Sequence, residues 1–120
     1  MTLAEETARF LARKSGFAFE GGTSGSVFFG YMPETPVRAI CVTQVGDEML
    51  QIRIRADDDA AWPLETAQTV RAILRDMRGQ LLTQGGRYAL RCDVLEGFAL
   101  DGITGDTSHS YSAKVRVLCA

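Results

Sequence analysis

Three consecutive carboxylates, Asp57, Asp58 and Asp59, stand in the middle of "QIRIRADDDAAWPLETAQTVRAIL", residues 51 to 74. Carboxylates in number are what a divalent cation needs, but real loop sites space their ligands along the chain. Adjacent side chains of a strand point to opposite faces, and those of a helix diverge by about 100°. Only Glu65 reinforces the three, and no histidine is near. The pattern fits a helix start better, with one aspartate as the cap and the others favouring the positive end of the helix dipole. His109, the single histidine, lies in "DTSHSYS" beside Ser108 and Ser110. A serine and its base need a third, orienting group, and no acid stands at recognisable spacing. It reads as an exposed strand residue. "GGTSGS", residues 21 to 26, has the glycines of a phosphate cradle but lacks the lysine and the G-x-x-x-x-G-K-[ST] spacing. It reads as a mobile loop. Cys41, Cys92 and Cys119 are odd in number, far apart and without a C-x-x-C pair, so they predict free thiols buried in apolar runs. No catalytic residue, metal ligand or cofactor is assigned.

The elements that would position these residues are easier to read. Thr2 and Glu5 have the spacing of a capping box, and an apolar stripe from Leu3 to Leu11 runs to "RKSG", which predicts a helix over about 3 to 15. The glycine-rich "GFAFEGGTSGS" predicts a loop. "SVFFGYMPETP" predicts a strand interrupted at Pro33 and Pro36, which cannot donate to a ladder. "VRAICVTQV" and "MLQIRIRA", joined by "GDE", predict an antiparallel hairpin. Leu64, Ala67, Val70, Ile73, Leu74, Met77 and Leu81 recur at helical spacing and predict a helix over 63 to 81, with Arg71, Arg75 and Arg78 on its wet side. "RYALRCDVLEG" and "SHSYSAKVRVLCA" predict two more strands, separated by a loop over 97 to 107. The order α-β-β-β-α-β-β predicts an α+β fold: a single, mostly antiparallel sheet of about five strands with two helices on one face. At 120 residues, 46% hydrophobic, the chain fits one domain over 1–120.

The surface carries the remaining information. The formal charge is −2, which does not mark a nucleic-acid binder. Eleven of the thirteen positive residues are arginine, the cation enriched at interfaces, although codon bias gives the same imbalance. With Ile52 and Ile54 turned inward, Gln51, Arg53 and Arg55 face outward. With Leu90, Cys92 and Val94 inward, Arg91 faces outward, and Lys114 and Arg116 alternate with Val115 and Val117. Arg53, Arg55, Arg91, Lys114 and Arg116 therefore form a candidate interface, whose competitor is an ordinary solvated face. Phe17, Phe19, Phe98, Leu100 and Ile103 fall in predicted loops and are expected at the surface. Charges at Glu5, Glu6, Arg9, Arg13 and Lys14 interrupt any signal peptide or membrane span in the first twenty residues, so a cytosolic chain without a membrane partner is expected.

The strings "VFFGYMPETP", "LQIRIRADDDAAWPLETAQTVRAIL", "GGRYALRC" and "YSAKVRVL" resemble the bacteriophage minor capsid proteins related to tail-terminator, or tail-completion, proteins. The resemblance covers nearly the whole chain. It departs from the family pattern at "QVGDE", a tighter connection before the arginine strand. It implies a non-enzymatic α+β structural subunit that assembles as a homo-oligomeric, typically hexameric, ring at the head–tail junction. Its implied partners are other tail and neck proteins, with DNA passing through a central channel. Its implied location is the virion, and the host cytoplasm during assembly. Two other classes compete: a small cytosolic α+β enzyme or ligand-binding domain with a pocket between sheet and helices, and a nucleic-acid-binding module using the basic face.

Overall fold

A computed structural model describes residues 1–21, 25–34, 37–104 and 108–120. α1 (Leu3–Ser15) begins as its cap predicts: the Thr2 hydroxyl accepts the Glu5 amide at 3.1 Å. It ends where Gly16 adopts φ 81° and donates to Ala12 O, a left-handed conformation that glycine takes without a Cβ penalty. The Glu5 carboxylate does not reach back as a reciprocal capping box would have it. It pairs instead with Arg9 Nε, one turn on, at 3.0 Å.

The strands are β1 (Ala18–Phe19), β2 (Ser26–Phe29), β3 (Arg38–Gln44) and β4 (Met49–Ala56) before α2 (Ala61–Arg75), then β5 (Gln80–Leu81), β6 (Tyr88–Thr104) and β7 (Ser108–Cys119). They form one sheet in the order β1-β2-β3-β4-β7-β6-β5. The α+β class and the single sheet agree with the sequence. The strand count and direction do not: the sheet has seven strands, and β1, β2 and β3 are mutually parallel in sequence of pairing. The parallel β2–β3 pair arises because the chain leaves Phe29 through Gly30 at φ 86° and returns to the starting end of the sheet before Arg38. A two-residue turn would have forced antiparallel pairing. The β3–β4 hairpin is antiparallel as expected, with Ile40 opposite Ile54 and Val42 opposite Ile52.

Two other boundaries move. α2 stops at Arg75, six residues before the predicted end, and a turn through Gly79 at φ 79° leads into β5. The apolar register slips by one past that turn, so Leu82 is buried and Leu81 is half exposed. Leu64, expected on the packed face, is also half exposed. The predicted loop over 97 to 107 is strand as far as Thr104, because β6 follows β7 through four register shifts, at Ala89/Arg91, Val94/Glu96, Glu96/Ala99 and Leu100/Gly102. Such bulges insert extra residues without ending the ladder. The end of that predicted loop, residues 105–107, lies outside the described residues.

Both helices cover one face of the sheet and share one core. Phe10 and Leu11 of α1 and Val70 and Leu74 of α2 pack with Ile40, Val42, Ile52, Ile54, Val115 and Val117. Each such side chain contributes about 1.5–3 kcal/mol when fully buried. This layer fixes the direction of every alternate residue in β4 and β7, and so determines what the opposite face presents.

Candidate assembly surface

The three aspartates do not converge. Asp57 turns toward Arg55, with Oδ1 3.3 Å from Nε, and accepts the Ser108 hydroxyl at 2.7 Å. Asp58 accepts Arg38 Nε at 3.1 Å, and Asp59 Oδ2 lies 3.6 Å from Arg38 Nη2. Asp59 Oδ1 also accepts the Ala61 amide at 2.8 Å, which satisfies one orphan donor at the start of α2. The residue at the N-cap itself is Ala60, so the capping aspartate acts from one position earlier than the usual arrangement. Arg38 completes the junction by lying 5.7 Å from the Trp62 ring centre. No group of three or more histidine, cysteine, aspartate or glutamate side chains among the described residues is arranged to hold a metal ion.

His109 is half-buried and sits in β7 opposite Ala56 and Ile103. Its strand neighbour Ser110 lies opposite Arg55 on the other face, and the Ser108 hydroxyl is engaged by Asp57. Serine and imidazole therefore point apart. The predicted cradle at 21 to 26 lies partly outside the described residues, at 22–24, while Ser26 is fully buried in β2. Pro36 of the predicted strand exit also lies outside them. All three cysteines are free; Cys41 is buried, and Cys92 and Cys119 are half-buried. Burial pushes the Cys92 thiol up to about 11, with the adjacent Asp93 carboxylate adding to it.

The five predicted interface cations share the face of the sheet away from the helices. Register places Arg53 opposite Ser112, Arg55 opposite Ser110 and Gln51 opposite Lys114 in the β4–β7 ladder, with Arg116 opposite Met49. They are not equivalent. Arg55 is the most enclosed: Nη1 donates to Pro33 O, Nη2 donates to Glu34 O at 3.2 Å, and Nε lies against Asp57. The segment after β2 thus folds over this face, with Tyr31 tilted on Phe28 and Met32 above Cys41, Thr43 and Arg53. Arg91 donates to Asp93 Oδ1 at 2.8 Å, and Lys114 lies 4.0 Å from Glu96. Arg116 is exposed at the far end of the face. Most of the apparent cationic field is therefore compensated inside the chain.

A second surface lies on the outer flank of the sheet. β6 is paired along its length by β7 on one side, but by β5 on the other only at Tyr88 and Ala89. From Leu90 onward its outer edge meets no other described strand. Leu90, Val94, Leu95 and Leu100 along it are each 41–51% exposed. Leu90, predicted to face inward, is displaced by the bulge that turns Ala89 into the core instead. Phe17, Phe19 and Phe98, expected at the surface, are half-buried against the core. The side chain of Ile103 lies outside the described residues. Phe98 and α2 also border a groove of about 170 Å³ with Leu64, Ala67, Gln68 and Arg71.

One buried polar cluster escaped the sequence reading. Glu6, 2% exposed, accepts the Thr83 hydroxyl at 2.7 Å, the Arg87 amide at 2.8 Å and the Arg87 guanidinium. Burial alone raises this carboxyl, but the bonds from the Arg87 amide, the Thr83 hydroxyl and the Arg87 side chain outweigh it and hold the group below its ordinary value. Arg87 also donates to Met1 O at 2.9 Å, so the cluster ties both ends of the N-terminal helix turn to the Thr83–Arg87 turn. Its sequence signal is the phase of the helix: Glu6 falls on the stripe of Leu3 and Phe10. It is a structural anchor.

No protein-family model matches this chain, and a search of curated proteins returns no match.

Proposed function

We propose that the chain is a structural subunit that assembles with copies of itself, a phage or prophage protein of the tail-terminator or minor capsid kind acting at the head–tail junction. The observation that carries this reading is the open β6 flank, where four large apolar side chains stand exposed along an edge that, beyond Ala89, pairs with no other described strand. Concentrated apolar surface and an unpaired edge are what association removes from water. The sequence resemblance supplies the context of a ring at the tail, its tail and neck partners, and DNA within its channel. The pairing of Arg55 with Asp57, Arg91 with Asp93 and Lys114 with Glu96 favours protein contacts over a polyanion on the basic face.

The flank can be tested directly. Leu95→Asp and Leu100→Asp place a charge where an apolar contact is expected. Both side chains are about half exposed, so the isolated fold should melt within about 0.5 kcal/mol of the parent. Assembly measured by sedimentation velocity should weaken markedly. Unchanged assembly by both variants would reject the flank as the contact surface.

A further inference from the structure

We infer that the β3–β4 turn of one copy docks into the groove between α2 and β6 of the next. The inference rests on the self-assembly reading above and assigns its surfaces. The turn is held to β7, with Glu48 O accepting the Val117 amide at 2.8 Å, and its side chains are exposed. Val45 N donates to Met49 O at 2.9 Å, closing the hairpin, and leaves Val45, Gly46, Asp47 and Glu48 exposed at its tip. Val45 is 48% exposed and stands next to two carboxylates that make no ion pair among the described residues.

The groove complements the turn in charge and in apolar lining. Leu64, Ala67 and Phe98 give it apolar walls, and Arg71 stands at its rim. Arg71 and Arg75 lie one helical turn apart on the exposed side of α2, and neither has an ion-pair partner among the described residues. The groove also adjoins the exposed apolar flank of β6, so a partner seated there covers both. A tip that carries exposed Val45 beside two anions thus matches a groove with apolar walls and Arg71 in its lining, with Arg75 one turn further along α2.

The two patches belong to different parts of the molecule. The turn extends from the Gln44 and Met49 end of its hairpin, whereas α2 leaves from the other end of β4, after Ala56, and the groove lies beyond β7. A copy cannot fill its own groove. Contact between unlike patches is heterologous, and repeated contacts of that type close into a ring or continue as a filament.

Charge exchange tests the pairing. Arg71→Glu/Arg75→Glu gives a chain with an acidic turn and an acidic groove rim; Asp47→Arg/Glu48→Arg gives one with a basic turn and a basic rim. Each alone should associate at least about tenfold more weakly than the parent in sedimentation velocity. Mixed one to one, every turn meets an oppositely charged rim, and assembly should return. The chain carrying all four substitutions should assemble by itself. A parent that assembles while both variants assemble equally well overturns the docking and leaves the self-assembly reading intact. Loss in both variants without recovery on mixing also overturns it. A parent that stays monomeric at every concentration overturns both. Salt-dependent retention of duplex DNA by the parent, lost in Arg71→Glu/Arg75→Glu while oligomer size is unchanged, would assign the arginines to a polyanion and overturn the docking as well.

Discussion

Glu6 ties α1 to the Thr83–Arg87 turn. Its carboxylate is buried, and Gly86 leaves no room beside it: a Cβ there would lie 1.9 Å from Glu6 Oε1 and 2.1 Å from Thr83 Oγ1. Gly86→Ala should cost about 1–3 kcal/mol in denaturant melts through overpacking. Glu6→Gln should cost about 1–3 kcal/mol at neutral pH, since Arg87 loses its charged acceptor while its outer atoms remain in water. The folded pKa lies below the ordinary 4.5, so the stabilisation is present above that value and is lost as pH falls through the folded one. The parent should therefore lose stability on acidification below about 4.5 more steeply than Glu6→Gln. Cys92 gives a second residue-scale prediction: with its thiol raised from 9.0 to about 11, its alkylation at pH 8 should be roughly a hundredfold slower than that of an unperturbed thiol. Sequence could place Glu6 on the buried stripe of α1. It could not show that the partners are Thr83 and Arg87, 77 and 81 residues away.

At the scale of elements, the β4–α2 junction is held by several weak ties. Asp59→Ala removes the acceptor for the Ala61 amide and should lower stability by about 1 kcal/mol. Asp58→Ala removes one exposed partner of Arg38 and should change it by less than about 0.5 kcal/mol. Because the three carboxylates are directed to Arg38 and Arg55, neither calcium nor a chelator should move the melting temperature; a metal-dependent rise abolished by Asp58→Ala would contradict that account. The sequence made α1 legible to the residue, because Thr2 and Gly16 mark both ends with local chemistry. It also revealed the β3–β4 hairpin and the inward set Ile52 and Ile54. The parallel β2–β3 pair was not legible: alternation specifies a strand but not its neighbour's direction. The continuation of β6 past Gly97 was hidden too, since glycines that accommodate bulges look in sequence like a loop.

For the whole molecule, the question is what the exposed flank of β6 and the charged patches at Asp47–Glu48 and Arg71–Arg75 meet. The candidate basic face was visible as alternation in β4, β6 and β7, but its engagement was not, because the Pro33 and Glu34 carbonyls reach Arg55, and Glu96 reaches Lys114, only through the fold. The apolar flank is obscured in the sequence by the same glycines that make the second half of β6 look like a loop. Its significance is collective, and an isolated subunit leaves it in water. Sedimentation velocity over a concentration series tests the central claim most directly. Self-assembly predicts a mass that rises from the 13.1 kDa chain to a discrete closed oligomer, six copies for the ring that the sequence resemblance implies. A mass that stays at one chain throughout the series would contradict it.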